Sequence, residues 1–191
     1  RGLKINSERK ALYYEKGWWG RETLNDVWTR QSTLFCDRPY IKDDAGAGFT
    51  YGQIDDAEAR LASWFAECGI VEGDIVSFQM PKWAEFAIIY VACLKVGAVM
   101  HPLPLNFNDE DVKHALNFAA SSAYVCPTFF HKTDYEAQCP SIVGSSPTLK
   151  CVLLVDSKSP ASAANALPVL SRVLAGSAPL ETTSCTSSDD V

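Results

Sequence analysis

The sequence of 191 residues lacks a basic cluster and a long apolar run. It has 17 Lys and Arg residues against 23 Asp and Glu residues, which gives a formal net charge of -6. A protein that binds a nucleic-acid backbone needs a concentrated basic face, so nucleic acid is not an expected partner. The longest apolar run, residues 86–94, is much shorter than the roughly 20 residues of a membrane-spanning helix, and no transmembrane segment is predicted.

The sequence also lacks the marks of a secreted protein. It starts at Arg1 rather than Met, and the residues that follow contain no apolar stretch of a signal peptide, so we expect a fragment of a longer protein. The 7 cysteines are scattered and contain no C-x-x-C pair, which favours reduced thiols in a cytoplasmic protein over a disulfide framework. With 47% hydrophobic and 21% charged residues, the chain has the composition of a globular protein with one sizeable core.

Most motifs of known catalytic chemistry are absent. The sequence contains no G-x-x-x-x-G-K-[ST], G-x-S-x-G or H-E-x-x-H motif and no EF-hand loop. Gly46, Gly48 and Gly52 resemble a dinucleotide-binding fingerprint only loosely, because they precede a predicted strand, and a hairpin turn explains them better. Residues 144–150 contain a single glycine and lead into a strand, so an ordinary loop is favoured over a phosphate loop.

Few side chains are candidates for metal binding or for lining a site. Cys126, His131, Cys139 and Cys151 could be proposed as metal ligands, but their spacing fits no zinc pattern, and core cysteines are the favoured interpretation. His101 lies at the end of a predicted strand, where α/β sheets bind their ligands, so it stays a candidate for lining a site.

Two further polar groups have simpler interpretations. His114 follows Glu110 by four residues on a predicted helix, which is the spacing of a solvated side-chain pair. The acidic residues 109–111 begin the same helix, and they are interpreted as favourable helix-start charges rather than as paired catalytic carboxylates.

Capping signals predict the elements of the first part of the chain. Thr23 is expected to cap a short helix, and residues 39–42 and 49–51 are expected to form a hairpin. Thr50 begins a capping box, so a longer amphipathic helix should start there and end at Gly69, which supplies a left-handed residue after the helix. Its apolar stripe, at spacings of three and four, is expected to be Ile54, Ala57, Leu61, Trp64, Phe65 and Cys68.

The second part of the chain alternates between strand and helix patterns. Helices are expected over residues 83–96 and after Asn108. The strands around them share short apolar runs, and they are expected at residues 75–80, 98–101, 123–126 and 149–155. This order predicts an α/β fold with right-handed β-α-β crossovers and a largely parallel sheet flanked by helices.

Several stretches carry a resemblance to a known family. They are FTYGQI at residues 49–54 with the helix to Gly69, GDIV at 73–76, MPKWAEF at 80–86, YVACLKVGAV at 90–99 and PL at 102–103. The Thr-Tyr start and the LKVGA stretch resemble the first two core motifs of the adenylate-forming enzymes, and the similarity covers residues 10–155. That superfamily includes acyl-CoA synthetases, aryl-acid AMP ligases and adenylation domains.

The resemblance extends to particular branches of this superfamily. Residues 14–19, YEKGWW, and the following Thr23-Leu24-x-Asp26 resemble the opening segment shared by short- and medium-chain fatty acyl-CoA synthetases and dihydroxybenzoate-type AMP ligases. Residues 91–99 favour the fatty acyl-CoA synthetases. The resemblance implies a ligase that joins a small carboxylic acid to ATP, with Mg²⁺, and passes the acyl group from the acyl-adenylate to CoA.

The resemblance assigns no catalytic, cofactor-binding or metal-binding residue to this chain. The family's phosphate loop, nucleotide contacts, catalytic Lys and acyl pocket are all expected after Val191, so the chain alone is expected to be inactive and to hold no ATP, Mg²⁺ or CoA. We expect residues 1–156 to be the N-terminal α/β part of an AMP-binding domain. Residues 157–191 are expected to form a Ser- and Ala-rich surface segment with at most one short helix near 166–174.

Three functions stay open at this point. The first is a fragment of a short- or medium-chain fatty acyl-CoA synthetase, the second is an aryl-acid AMP ligase, and the third is a non-catalytic binding module with the same fold. The acid, the acyl acceptor and the oligomeric state, including a homo-oligomer, are left open by the sequence.

Overall fold

The computed structural model describes residues 6–43, 46, 48–156 and 167–180. The helices of this part are α1 (Ser7–Glu15), α2 (Leu24–Leu34), α3 (Tyr51–Glu67), α4 (Glu85–Val96), α5 (Asp109–Ala119), α6 (Tyr135–Gly144) and α7 (Leu170–Gly176). The strands are β1 (Pro39–Lys42), β2 (Gly48–Thr50), β3 (Ile75–Phe78), β4 (Val99–Pro102), β5 (Ala123–Pro127), β6 (Phe129–Phe130), β7 (Thr133–Asp134) and β8 (Cys151–Val155). None of the described helices is long and apolar enough to cross a membrane.

A parallel sheet of four strands lies at the centre of the fold. Its order is β4-β3-β5-β8, and each neighbouring pair is parallel. The chain leaves β3 through α4 to reach β4, and leaves β4 through α5 to reach β5. These findings confirm the predicted α/β fold with a parallel sheet and helical crossovers.

The predicted capping signals are present in the structure. Thr23 and Asp26 form a capping box at the start of α2, and Thr50 and Gln53 form one at the start of α3. In α3, the Gln53 N–H donates to the Thr50 hydroxyl and the Thr50 N–H donates to the Gln53 side chain. Gly69 follows α3 with a φ of 78°, the left-handed conformation predicted for it.

Helices α3 and α4 bury one face of the sheet. Leu61 and Phe65 of α3 are fully buried in a core that also contains Val76 of β3 and Val125 of β5. The neighbouring Trp64 packs against this core but is only partly buried. The predicted apolar stripe of α3 is therefore the surface that attaches it to the sheet.

Helices α5 and α6 bury the opposite face. Their core contains Leu116 of α5, Ile142 of α6 and, from β5, Tyr124. Tyr124 and Val125 thus face opposite sides of the sheet, as successive residues of a strand do.

Helices α1 and α6 and the β6–β7 hairpin are findings that the sequence analysis missed. Helix α1 has no buried residue, so it has no apolar stripe from which periodicity could predict it. Helix α6 contains Pro140 in its interior, a residue that normally indicates the end of a helix. Its start is fixed by Asp134, whose side chain accepts the Ala137 N–H at 3.0 Å.

Several predicted boundaries move by a few residues. The second strand of the hairpin is Gly48–Thr50 rather than 49–51, because Tyr51 already belongs to α3. Strand β3 ends at Phe78 instead of residue 80, and α4 begins at Glu85 instead of residue 83.

Helix α7 packs against the fold instead of lying over its surface. Leu170 and Val173 are buried in the same core as Phe65, and the Leu180 N–H donates to the Ala59 carbonyl at 2.9 Å. The short helix expected near 166–174 is therefore present as α7, displaced by a few residues and partly buried. The rest of the predicted surface segment, residues 157–166 and 181–191, lies outside the described residues.

Gly52, in the first turn of α3, is expected to tolerate no larger side chain. A Cβ atom there would overlap the Cys36 thiol and lie 3.2 Å from the Cys36 carbonyl oxygen. We expect Gly52→Ala to lower the free energy of unfolding by about 1 to 3 kcal/mol, as overpacking substitutions do. Gly144→Ala is the matched control, since a methyl group added at Gly144 would meet no neighbouring atom within 4 Å. Equal denaturation midpoints for the two variants would show that Cys36 moves aside at no cost, and would contradict the predicted steric conflict.

Candidate functional site

The carboxyl edge of the parallel sheet is the candidate functional site. Strands β3, β4, β5 and β8 run in the same direction, so the loops that follow them meet at this edge. Open α/β sheets bind their ligands in the crevice outside these strand ends. The segments concerned are residues 79–84, 103–108 and 128–134, together with Asp156.

Gln79 joins three of these elements. It follows β3, is 1% exposed, and accepts a hydrogen bond at 2.8 Å from the Tyr124 hydroxyl of β5. Its amide nitrogen donates to the carbonyl oxygens of Pro104 at 2.8 Å and Phe107 at 3.3 Å. Both carbonyls belong to the loop after β4, so Gln79 holds that loop against the centre of the sheet.

Replacing Gln79 should loosen the loop after β4. In Gln79→Leu, the two loop carbonyls and the Tyr124 hydroxyl lose a buried partner, which costs about 1 to 3 kcal/mol. We expect a lower denaturation midpoint and faster amide hydrogen exchange in residues 103–107. Gln31→Leu on α2 is the control, because Gln31 is only half-buried. Unchanged exchange in residues 103–107 of the Gln79 variant would contradict the assigned role.

Aromatic rings and a cationic turn line the edge beside Gln79. The ring of Trp83, which follows β3, meets that of Phe130 at a centroid distance of 5.8 Å and an angle of 80°. Phe130 in turn contacts the His131 ring edge-to-face at 4.1 Å. His131 and Lys132 form the exposed turn of the β6–β7 hairpin, and His131 has a left-handed φ of 52°. The edge therefore presents flat apolar surface next to donor groups, an arrangement suited to binding and orienting a ligand.

Asp156 closes the remaining strand end. Its carboxylate accepts hydrogen bonds from the Ser171 hydroxyl and the Ser171 N–H, so it joins the end of β8 to the first turn of α7. Because this contact occupies the end of β8, the open part of the carboxyl edge lies at the ends of β3, β4 and β5.

His101, the candidate for lining a site, is bonded into the sheet. Its Nδ1 lies 2.8 Å from the hydroxyl of Ser77, its register partner in β3. The Ser77 hydroxyl lies 2.6 Å from that of Ser121, and both serines are fully buried. Because no substrate can reach a buried hydroxyl, this Ser-His contact joins two strands and is not a nucleophile with its base.

The proposed metal ligands are distributed over separate parts of the fold. Cys126 and Cys139 are buried in the α5–α6 core with their sulfur atoms 3.8 Å apart. Cys151 begins β8 at the amino edge of the sheet, and His131 lies at the opposite edge. Among the described residues, no group of three or more His, Cys, Asp or Glu side chains is arranged to hold a metal.

The polar groups of α5 stabilise the helix. Asn108 caps it, and Asp111 completes a capping box, as expected for helix-start charges. The predicted pair of His114 with Glu110 is wrong, since Glu110 contacts Lys113 at 2.7 Å and His114 stacks on Phe118.

Sequence reasoning missed the groups that shape the candidate site. Gln79 follows a mostly apolar strand, and its importance comes from partners 25 to 45 residues away. Trp83 was assigned to a buried helix, whereas the structure places it in the loop before α4. A glutamine within the predicted strand at residues 75–80 was the one signal available, since buried amides need partners.

The same architecture occurs in solved structures of other proteins. The apo structure of Mycobacterium smegmatis MbtA has a TM-score of 0.78 and 22% identity, and the match covers 99% of this chain and 34% of that one. A benzoate CoA ligase from Burkholderia xenovorans has a TM-score of 0.66 and 16% identity, over 86% of this chain and 30% of that one. These matches show a shared fold.

The sequence comparisons establish the family. The AMP-binding enzyme model matches residues 28–190, and the chain belongs to this family. It is 33% identical over 189 residues to the medium-chain fatty-acid–CoA ligase of Escherichia coli strain K12, covering 99% of this chain and 33% of the relative. It is 28% identical over 148 residues to the 2,3-dihydroxybenzoate-AMP ligase of Bacillus subtilis strain 168, covering 77% of this chain and 27% of the relative. The chain thus spans about a third of the length of these relatives.

Proposed function

We propose that the chain is part of an ATP-dependent, AMP-forming acid:CoA ligase that acts on a short- or medium-chain fatty acid. The supporting observation is the extent of the similarity to the medium-chain fatty-acid–CoA ligase, which runs over 99% of the chain at 33% identity. The similarity to the dihydroxybenzoate ligase covers 77% at 28% identity. Scattered cysteines without a disulfide framework support a cytoplasmic location.

The proposed chemistry requires a shielded site. A carboxylate is a poor acyl donor until one oxygen becomes a good leaving group, and transfer of AMP from ATP accomplishes this. The resulting mixed anhydride must be kept from water until the thiol of CoA attacks it. Closure of a second domain over the intermediate meets this requirement.

The contribution of this chain is to shape one wall of such a site. Gln79 fixes the loop after β4, and Trp83 and Phe130 provide an apolar surface at the carboxyl edge. Among the described residues, no group of three or more His, Cys, Asp or Glu side chains is arranged to hold a Mg²⁺ ion. Because the resemblance places the family's phosphate loop, nucleotide contacts and catalytic Lys after Val191, we assign the contacts to ATP, Mg²⁺ and CoA to the remainder of the enzyme.

The divisions of the chain follow from this proposal. Residues 1–156 would form the N-terminal α/β part of the AMP-binding domain. Residues 157–191 would lead from it to the phosphate loop, with α7 attached to α3 on the way. By itself the chain should then release no pyrophosphate from ATP with any carboxylate.

An aryl-acid AMP ligase is the second candidate. It is favoured by the 28% identity to the Bacillus subtilis 2,3-dihydroxybenzoate-AMP ligase and by the 26% identity to a salicyl-AMP ligase of Mycobacterium tuberculosis. An enzyme of this kind activates an aromatic acid, so the two candidates differ in the acid that supports adenylate formation.

The test is a substrate panel with the full-length protein that contains this chain. ATP, Mg²⁺ and CoA are supplied with acids from acetate to dodecanoate, and with benzoate and 2,3-dihydroxybenzoate, while AMP and thioester are measured. We expect hexanoate or octanoate to give AMP and the matching CoA thioester. Adenylate formation restricted to the aromatic acids, with no CoA thioester, would reject the fatty-acid proposal in favour of the aryl-acid ligase.

A further inference from the structure

Charged side chains from other elements hold the short helix α7 at both of its ends. At its start, the Asp156 carboxylate accepts hydrogen bonds from the N–H and the hydroxyl of Ser171. At its end, the Arg60 guanidinium of α3 donates from Nη1 to the Ser177 carbonyl oxygen at 3.0 Å. Helix α7 itself has no acidic residue in its first turn and no basic residue in its last, so Asp156 and Arg60 supply the charges that complement its dipole.

Asp56, one turn earlier in α3, fixes the orientation of Arg60. Its two carboxylate oxygens lie 2.9 Å from Nε and 3.1 Å from Nη2 of the guanidinium. This bidentate contact sets the plane of the guanidinium and leaves Nη1 for the Ser177 carbonyl. A lysine at this position has one nitrogen and could not reproduce the fixed fork of donors.

A backbone contact reinforces this attachment three residues further along the chain. The Leu180 N–H donates to the carbonyl oxygen of Ala59, the residue before Arg60, at 2.9 Å. The Leu180 side chain also packs against the core between α3, α4 and the sheet. We call the Arg60–Ser177 and Ala59–Leu180 hydrogen bonds the Arg60 clasp, and together they attach the end of α7 to α3.

The position of the chain after α7 depends on the Arg60 clasp. Helix α7 has seven residues, too few to be stable by itself, and its buried residues, Leu170 and Val173, lie in its first half. Leu180 is 11 positions before Val191. A segment of that length spans at most about 40 Å in any conformation, so fixing Leu180 limits where the chain after Val191 can begin.

We propose that Arg60 is a positioning residue for ATP in the full-length enzyme, because the Arg60 clasp fixes the route by which the chain enters the phosphate loop. This inference rests on the proposed function, in which the phosphate loop follows Val191. A loop whose entry is already fixed loses less conformational entropy when it orders around the phosphates, so the clasp should strengthen ATP binding. Arg60 itself touches neither ATP nor the acid in this account.

The experiment measures pyrophosphate–ATP exchange by the full-length protein that contains this chain, with hexanoate or octanoate and Mg²⁺. Arg60→Met keeps an apolar stem and removes all three donated hydrogen bonds. We expect the KM for ATP to rise about tenfold, since a hydrogen bond from a charged group changes an equilibrium constant by at least this order. The KM for the acid and kcat should stay unchanged. A merely structural defect would lower the fraction of active enzyme, and hence kcat, at an unchanged KM.

Arg172→Met is the matched control on α7. Arg172 is exposed and lies on the helix that the clasp attaches, so the same substitution there should leave both KM values unchanged. Arg60→Lys is the second variant if Arg60→Met does not fold. It keeps the charge without the fork of donors, and we expect a smaller increase in the KM for ATP.

Hydrogen exchange reports on the clasp independently of activity. The amides of residues 177–180 should exchange faster in Arg60→Met than in Arg172→Met. Unchanged exchange there would overturn the clasp, and an unchanged KM for ATP in Arg60→Met would overturn the positioning role while leaving the ligase proposal intact. Absence of pyrophosphate exchange by the unsubstituted protein with every acid tested would instead reject the proposed function, and this inference with it.

Discussion

Phe65→Ala is expected to lower the free energy of unfolding by about 3 to 5 kcal/mol. The Phe65 ring is 0% exposed and belongs to the core between α3, α4 and the sheet. Its removal takes away both the buried apolar area and the packing around it, leaving a cavity that rigid neighbours can fill only in part. Chemical denaturation at constant protein concentration measures the change directly.

Phe118→Ala is the matched control for this substitution. Phe118 lies on α5 and is 86% exposed, so its removal should change the free energy of unfolding by no more than about 0.5 kcal/mol. Equal effects of the two substitutions would contradict the packing of α3 against the sheet.

The second large effect concerns Glu58 and Lys95, which join α3 to α4. Their charged groups are 2.9 Å apart, and the side chains are 1% and 14% exposed. The other carboxylate oxygen of Glu58 is buried without a hydrogen-bond partner. Burial raises the pKa of Glu58 to about 7, although the hydrogen bond and charge of Lys95 act in the opposite direction.

This shifted pKa predicts a pH-dependent stability. Between pH 4.5 and about 7, folded Glu58 keeps a proton that the unfolded chain has already released. Stability therefore decreases as the pH rises through this window, with a limiting contribution on the order of 3 kcal/mol. Glu58→Gln cannot ionise, so we expect this variant to be more stable than the unsubstituted chain at pH 8 but not at pH 4.

Glu110→Gln tests whether this effect depends on burial. Glu110 also pairs with a lysine, Lys113, but its side chain is 82% exposed. Exposed pairs of this kind contribute about 0 to 1 kcal/mol, so the pH profile of Glu110→Gln should follow that of the unsubstituted chain. The assignment to Glu58 fails if the free energy of unfolding of Glu58→Gln differs from that of the unsubstituted chain by the same amount at pH 4 and at pH 8.

Local signals in the sequence were sufficient to predict much of the fold. The cap at Thr23, the capping box at Thr50, the left-handed Gly69 and the apolar stripe with Phe65 are all present as expected. Each depends on residues only a few positions apart, so each can be recognised without knowing the tertiary structure. Helix α6 was missed because Pro140 argues against a helix on local grounds, whereas packing against β5 and β8 stabilises it.

The candidate site was harder to predict because its contacts join distant parts of the chain. Gln79 matters through Tyr124 and Pro104, and Trp83 matters through Phe130, which lies on a hairpin that the sequence did not indicate. The contact between Glu58 and Lys95 was equally hard to predict. Neither residue on its own indicates whether it is buried with a partner or solvated. Such contacts become visible only once the sheet order is known.

The measurement that tests the proposed ligase most directly is carboxylate-dependent exchange of labelled pyrophosphate into ATP by the full-length protein. Reversible formation of an acyl-adenylate predicts exchange that requires Mg²⁺ and a fatty acid, and release of AMP with the thioester when CoA is added. Thioester formation accompanied by ADP and phosphate, with no exchange of pyrophosphate, would contradict the assignment of an AMP-forming ligase.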